Sequence, residues 1–179
     1  RRVLFRSMEM LEKATKAIQK GKTPNFDAPL SLTAEINLHM PALIPDEYLG
    51  DVHQRLLFYK RISNTDSQEK LDNIRMELID RFGIPPQPVK QLFAVHQMRL
   101  KAETLGITKV DIAANGGTIE FSPDTPVQAI SIIQMMQKHP TLFRMEGGQR
   151  LKVMVMLEEY EKRIQFINDL LESLLKELH

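Results

Sequence analysis

Apolar residues recur along the chain first at helical and later at strand spacing. Met8, Leu11, Ala14 and Ile18 repeat at helical intervals and Gly21 stops the run, so the spacing predicts a helix over residues 8–20. Residues 22–31, with Pro24 and Pro29 among polar neighbours, read as a linker or surface loop. Ile36, Leu38 and Met40 alternate with Glu35, Asn37 and His39, the pattern of a half-buried strand closed by Pro41 and Pro45.

Three helices are predicted next. The first covers residues 46–62 with Leu49, Val52, Leu56, Tyr59 and Ile62 on one face. The second begins at Thr65, which forms a capping-box pattern with Gln68. It carries Leu71, Ile74, Leu78 and Phe82 inward and ends at Gly83. The third follows Pro85-Pro86, with Pro88 in its first turn. Val89, Leu92, Phe93 and Leu100 line its inner side, and Gly106 ends it.

The period then falls to two. Val110 and Ile112 precede Asn115-Gly116-Gly117, and Ile119 and Phe121 follow, a hairpin signal. Thr125 is placed to cap a helix from Pro126 through Ile130, Ile133 and Met136 to His139. A second hairpin spans Leu142 to Val155 around Gly147-Gly148. Leu157, Tyr160, Ile164, Ile167, Leu171, Leu174 and Leu178 then form a three-heptad stripe on a helix of about 22 residues. Its plain reading is a helix packed along its own domain; a coiled coil with a partner would need at least this many heptads. The expected class is α+β: several helices packed with short antiparallel β-hairpins and a long C-terminal helix.

Composition narrows the function. A chain of 179 residues with 42% hydrophobic and 26% charged residues can bury a real core. Its 24 Lys and Arg against 23 Asp and Glu leave a net charge of +1, without the basic excess of a dedicated nucleic-acid binder. With no cysteine there is no disulfide, thiolate metal site or thiol nucleophile, which suits a reducing cytoplasm. No apolar run approaches the roughly 20 residues that span a bilayer. The first seven residues, RRVLFRS, read as a translated sequencing adapter joined in frame, with native sequence expected from about Met8 and more of it upstream.

Chemistry-bearing patterns are sparse. Gly21-Lys22-Thr23 resembles the end of a phosphate-binding loop, but Lys16 stands where the motif needs its first Gly, and Pro24 blocks the helix that should follow. His39, His53, His96, His139 and His179 form no metal-ligand pair, and His96 beside Phe93 and Leu100 reads as a satisfied core residue. Asp51 and His53, two apart on a predicted helix, point in different directions. No catalytic residue, metal site or cofactor is expected. Lys13, Lys16, Lys20 and Lys22 form a basic stripe that could touch phosphates, diluted by Glu9 and Glu12.

One cluster is locally unmotivated. Glu77, Asp80 and Arg81 share one side of the second helix. Glu77 and Arg81 can pair, but Asp80 sits in the last turn, where the helix dipole disfavours negative charge, and one turn from the like charge of Glu77. Such a trio suits either a solvated, salt-bridged face or a docking surface for a basic partner.

The string Glu77-Leu78-Ile79-Asp80-Arg81-Phe82-Gly83 with Pro85-Pro86 resembles the C-terminal domain of the bacterial transcription-repair coupling factors (Mfd). So do Leu56-Leu57-Phe58-Tyr59-Lys60-Arg61-Ile62, Ile44-Pro45-Asp46, Leu105-Gly106-Ile107 and Ile119-Glu120-Phe121, and the likeness covers roughly residues 8–175. The resemblance implies that residues 8–30 are the tail of a translocase region and its linker, and residues 31–179 a C-terminal regulatory domain. It implies a parent protein that is an ATP-dependent double-stranded DNA translocase of the helicase family, which displaces stalled RNA polymerase and recruits UvrA for nucleotide excision repair. In that family this domain binds the N-terminal UvrB-like module, hides the UvrA-binding surface and restrains the motor until polymerase is engaged. The family's docking residues fall on Glu77, Asp80 and Arg81. The fragment itself carries no ATPase motif. The expected reading is therefore a cytoplasmic, autoinhibitory interaction domain with no membrane association. The alternative is a DNA-binding accessory module resting on Lys13, Lys16, Lys20 and Lys22.

Overall fold

A computed structural model describes residues 33–178. Residues 1–7, the helix predicted over 8–20 and the loop predicted over 22–31 lie outside the described residues. Ten elements follow: β1 (Glu35–Asn37), α1 (Val52–Ser63), α2 (Gln68–Phe82), α3 (Gln87–Thr104), β2 (Ile107–Ala113), β3 (Gly116–Phe121), α4 (Ala129–Lys138), β4 (Phe143–Glu146), β5 (Arg150–Val153) and α5 (Tyr160–Lys176). The class is α+β, as expected, with one sheet of order β1-β2-β3-β5-β4. Every pairing in it is antiparallel except β1 with β2, which is parallel.

The first strand is short for a visible reason. After Asn37 the chain turns at His39, the one described non-glycine residue with positive φ, at 53°. The buried Arg163 of α5 donates to Leu38 O at 2.6 Å and His39 O at 3.3 Å, drawing those carbonyls away from the sheet. The same guanidinium donates to Leu157 O at 2.8 and 3.0 Å and so ties the two loops together.

Helix starts differ from expectation where a better cap lies downstream. α1 begins at Val52, not residue 46, because Asp51 accepts from His53 N at 2.8 Å and Gln54 N at 3.3 Å. Residues 46–48 instead form a turn closed on Pro45 O, which still buries Leu49. The inner face of α1 is Phe58 and Ile62, whereas Val52 and Leu56 are exposed. α2 is capped by Ser67 rather than Thr65. Thr65 is buried, donates to Ile62 O at 2.7 Å and accepts from Arg99 at 3.0 Å. α4 begins at Ala129; Thr125 instead donates to Leu105 O at 2.6 Å, and Ile132 points inward while Ile130 and Ile133 are exposed.

The first hairpin turns one residue early. Ala113 pairs with Gly116, so Ala114 and Asn115 form the loop, and the positive φ of 96° falls at Gly116. Backbone crowding makes glycine obligatory there: a Cβ on Gly117 would collide with Asp111 O, and one on Gly116 with Val153 O. The second hairpin turns at Gly147 as predicted, joining β4 to β5.

Two apolar clusters result. A helical one holds Ile44, Leu49, Phe58, Ile62, Leu71, Ile74, Leu78, Val89, Leu92 and Phe93. A larger one lies between the sheet and helices α3 and α5, with Met98, Ala102, Val110, Ile112, Ile119, Leu151, Ile167 and Leu171 among its members. α3 serves both, its first half entering the helical cluster and its second half the sheet cluster. α5 lies along its own domain with Ile167, Leu170, Leu171 and Leu174 buried; at 17 residues it is shorter than expected, Leu157 preceding it and Tyr160 being exposed.

Candidate docking surface

The C-terminal end of α2 is built to stop sharply. Gly83 takes φ +87° and donates its N–H to Ile79 O at 2.9 Å. Tyr48 donates its hydroxyl towards Gly83 O at 2.8 Å and Leu78 O at 3.2 Å, and its ring packs 6.0 Å from that of Phe82. Leu78 and Ile74 anchor the buried face, which turns Glu77, Asp80 and Arg81 outward.

The three are brought together on one surface but are not alike. Glu77 is half-exposed and already engaged: Arg61 of α1 donates to Oε2 at 2.6 Å and to Oε1 at 3.0 Å, and Arg81 reaches Oε2 at 3.5 Å. The Arg61 bond, with smaller help from the charges of Arg61 and Arg81, holds the Glu77 carboxyl below its ordinary range. The same bond pushes Arg61 further up. Arg81 also donates to Gln54 Oε1 at 3.4 Å and lies over the rings of Phe58 at 5.5 Å and Phe82 at 5.1 Å. Asp80 is exposed, and its side chain has neither hydrogen bond nor ion pair among the described residues.

Sequence reasoning missed Arg61, Gln54 and Phe58, which bring α1 into the same surface. Arg61 precedes Glu77 by 16 residues, on another helix, so no spacing rule links them. Lys13, Lys16, Lys20 and Lys22 lie outside the described residues.

Elsewhere the ionisable groups serve the fold. His96 is buried and accepts from Arg99 Nε at 3.1 Å. Burial, and secondly the Arg99 cation, push its pKa down to about 3, so the ring is neutral. Arg99 donates in turn to Ile62 O, Thr65 O and Thr65 Oγ1 at 3.0–3.3 Å and pairs with Glu103 at 3.2 Å. Asp51 and His53 are a cap and its partner, and His39 pairs with Asp111 at 2.5 Å. Among the described residues no group of three His, Asp or Glu is placed to hold a metal, and no helix is long and apolar enough to cross a membrane. A surface recess of about 290 Å³ at the first hairpin is walled by Gly116, Gly117, Val153, Met154 and Val155, with Lys152 its one charged residue.

The TRCF domain family model matches residues 38–132, which include α1, α2 and the whole charged surface. The transcription-repair-coupling factor of Haemophilus influenzae is 41% identical over 167 residues, 93% of this chain and 15% of that protein. That of Escherichia coli is 38% identical over 167 residues, 93% of this chain and 14% of that protein. The crystal structure of the C-terminal domain of a transcription-repair coupling factor superposes with a TM-score of 0.69 at 24% identity, covering 80% of this chain and 92% of that one.

Proposed function

The chain belongs to the transcription-repair-coupling factor family and corresponds to its C-terminal domain, and on that premise we propose that it is an autoinhibitory docking domain. The proposed partner is the N-terminal UvrB-like module of the same protein. Docked there, the domain masks the UvrA-binding surface and restrains the ATP-dependent DNA translocase; engagement of stalled RNA polymerase releases it. ATP hydrolysis, double-stranded DNA and polymerase contacts belong to the parent protein in this reading, and the setting is the bacterial cytoplasm. The chain spans only 15% and 14% of the two relatives' lengths.

The observation that carries the reading is Asp80: an exposed carboxylate, unpaired among the described residues, in the last turn of α2 beside Arg81 and Glu77. The helix dipole disfavours an anion there, so the fold gains nothing from it, whereas a cationic partner would. Charge-assisted bonds to such a partner are worth ~1.5–3 kcal/mol each and break together on rearrangement, which suits a latch. The test is titration of the N-terminal module with this chain and with Asp80→Lys. The expected result is saturable binding that the reversal abolishes; equal binding by both would remove the docking role. In the complete protein, Arg81→Ala is expected to raise basal ATPase and UvrA binding.

A further inference from the structure

Arg61 stands on α1, yet its side chain is committed to the α2 surface. Its two terminal nitrogens bond both oxygens of Glu77, the fork geometry that fixes a carboxylate in direction as well as position. Its guanidinium lies over Phe58 at 5.1 Å, and that of Arg81 over the same ring at 5.5 Å. Glu77 is therefore held between two cations that share one aromatic floor. Among the described residues Oε2 accepts from both arginines, but Oε1 accepts from Arg61 alone, and an ionised carboxylate oxygen offers two lone-pair positions. One acceptor position on Oε1 is thus open, on a side chain 37% exposed. A free glutamate would have to lose its rotamer freedom on docking; this one has lost it already.

We infer that Arg61 is a positioning residue of the docking surface: it holds Glu77 with one lone pair of Oε1 open to a basic side chain of the partner. It strengthens docking without touching the partner itself. The inference rests on the docking role proposed for this surface. The partner chemistry it implies is a cationic side chain that donates to Oε1 of Glu77.

The test is a set of dissociation constants for this chain against the N-terminal UvrB-like module, for wild type, Arg61→Met, Glu77→Ala, the double variant and Asp80→Asn. Methionine keeps the apolar stem over Phe58 and removes the fork. Arg61→Met is expected to weaken docking about three- to fivefold, the range of an exposed ion pair. It should add nothing once Glu77→Ala is present, and it should multiply with Asp80→Asn. Arg61→Lys, which keeps the charge on a single point, should recover part of the loss. A purely structural role for Arg61 would couple it equally to Asp80 and would lower the melting temperature in step. Unchanged or tighter docking by Arg61→Met, or full multiplication with Glu77→Ala, overturns the inference while leaving the docking role intact. Failure of the wild-type chain to bind the module overturns both.

Discussion

The sheet half and the helical half of this domain are stabilised in different ways. The sheet half buries 19 apolar residues, and its five strands are tied by a continuous hydrogen-bond ladder. The helical half buries 10 and has no ladder between its helices, so side chains alone hold α1, α2 and the start of α3 together. Ion pairs occur in both halves, and in the helical half Arg61 holds Glu77 by two bonds at 2.6 and 3.0 Å. Arg150 reaches Glu120 across neighbouring strands at 2.7 Å, and Lys101 reaches Glu172 between α3 and α5 at 2.9 Å. In the helical half Asp80 has no pair among the described residues, and Arg81 meets its partners only at 3.4 and 3.5 Å. The sheet half is a scaffold, and the helical half carries the groups available to a partner. A surface that must engage and release is better placed on the half that has no backbone ladder.

Substitutions can break this division or sharpen it. The largest effect is expected at Gly117→Ala, where the new Cβ runs into the backbone at Asp111 O and there is no side chain to move aside. A loss of more than about 4 kcal/mol in denaturant unfolding is expected, the range of severe backbone strain; a well-folded variant of near-normal stability would mean that the sheet is not the rigid half. Arg99→Met comes next, since it removes the buried donor to Thr65 O, Thr65 Oγ1 and His96 Nδ1. Its cost should be about 3 kcal/mol, from buried acceptors that lose a charged donor. Hydrogen-exchange protection should fall more in α1 and α2 than in β2 and β3; an equal fall would make the two halves one unit.

The same joint gives a pH dependence. His96 titrates near 3 in the folded chain against an ordinary value of 6.5, so the unfolded state binds the extra proton between those values. Its contribution is complete above about pH 6.5 and is lost as pH falls towards 3, so stability should decline with acidification. His96→Gln, which can still accept from Arg99, should flatten that slope in urea unfolding series at several pH values; an unchanged slope would place the titration elsewhere. The smallest effect on the fold is expected for Arg61→Met, under about 1 kcal/mol, as for other exposed pairs. A melting shift as large as that of Arg99→Met would show Arg61 to be part of the scaffold rather than of the surface.

Much of this was legible in the sequence. Helices, hairpins and their order followed from periodicity, and Gly83, Gly106 and Gly147 stood where chain reversals need positive φ. Glu77, Asp80 and Arg81 were marked by spacing and by the mismatch of Asp80 with the dipole. The cap positions were less legible, because Asp51 and Ser67 compete with nearby alternatives and the winner depends on what the rest of the segment must do. Thr65 has capping chemistry, but Arg99 claims it. On α1 the expected stripe is right at Ile62 and Tyr59, which lie in or against the helical cluster, but Val52 and Leu56 are exposed and Phe58, off the stripe, is buried in their stead.

Local pattern alone determined the type and order of the elements, the turn sites and the presence of an unbalanced charged trio, since each depends on residues within a few positions of one another. Only the packed chain decided that β1 runs parallel to β2, that Arg163 and Arg99 are buried as clips between distant loops, and that Arg61 bridges to Glu77. Those contacts join residues far apart in the chain, and their geometry exists only once the helices and the sheet have come together.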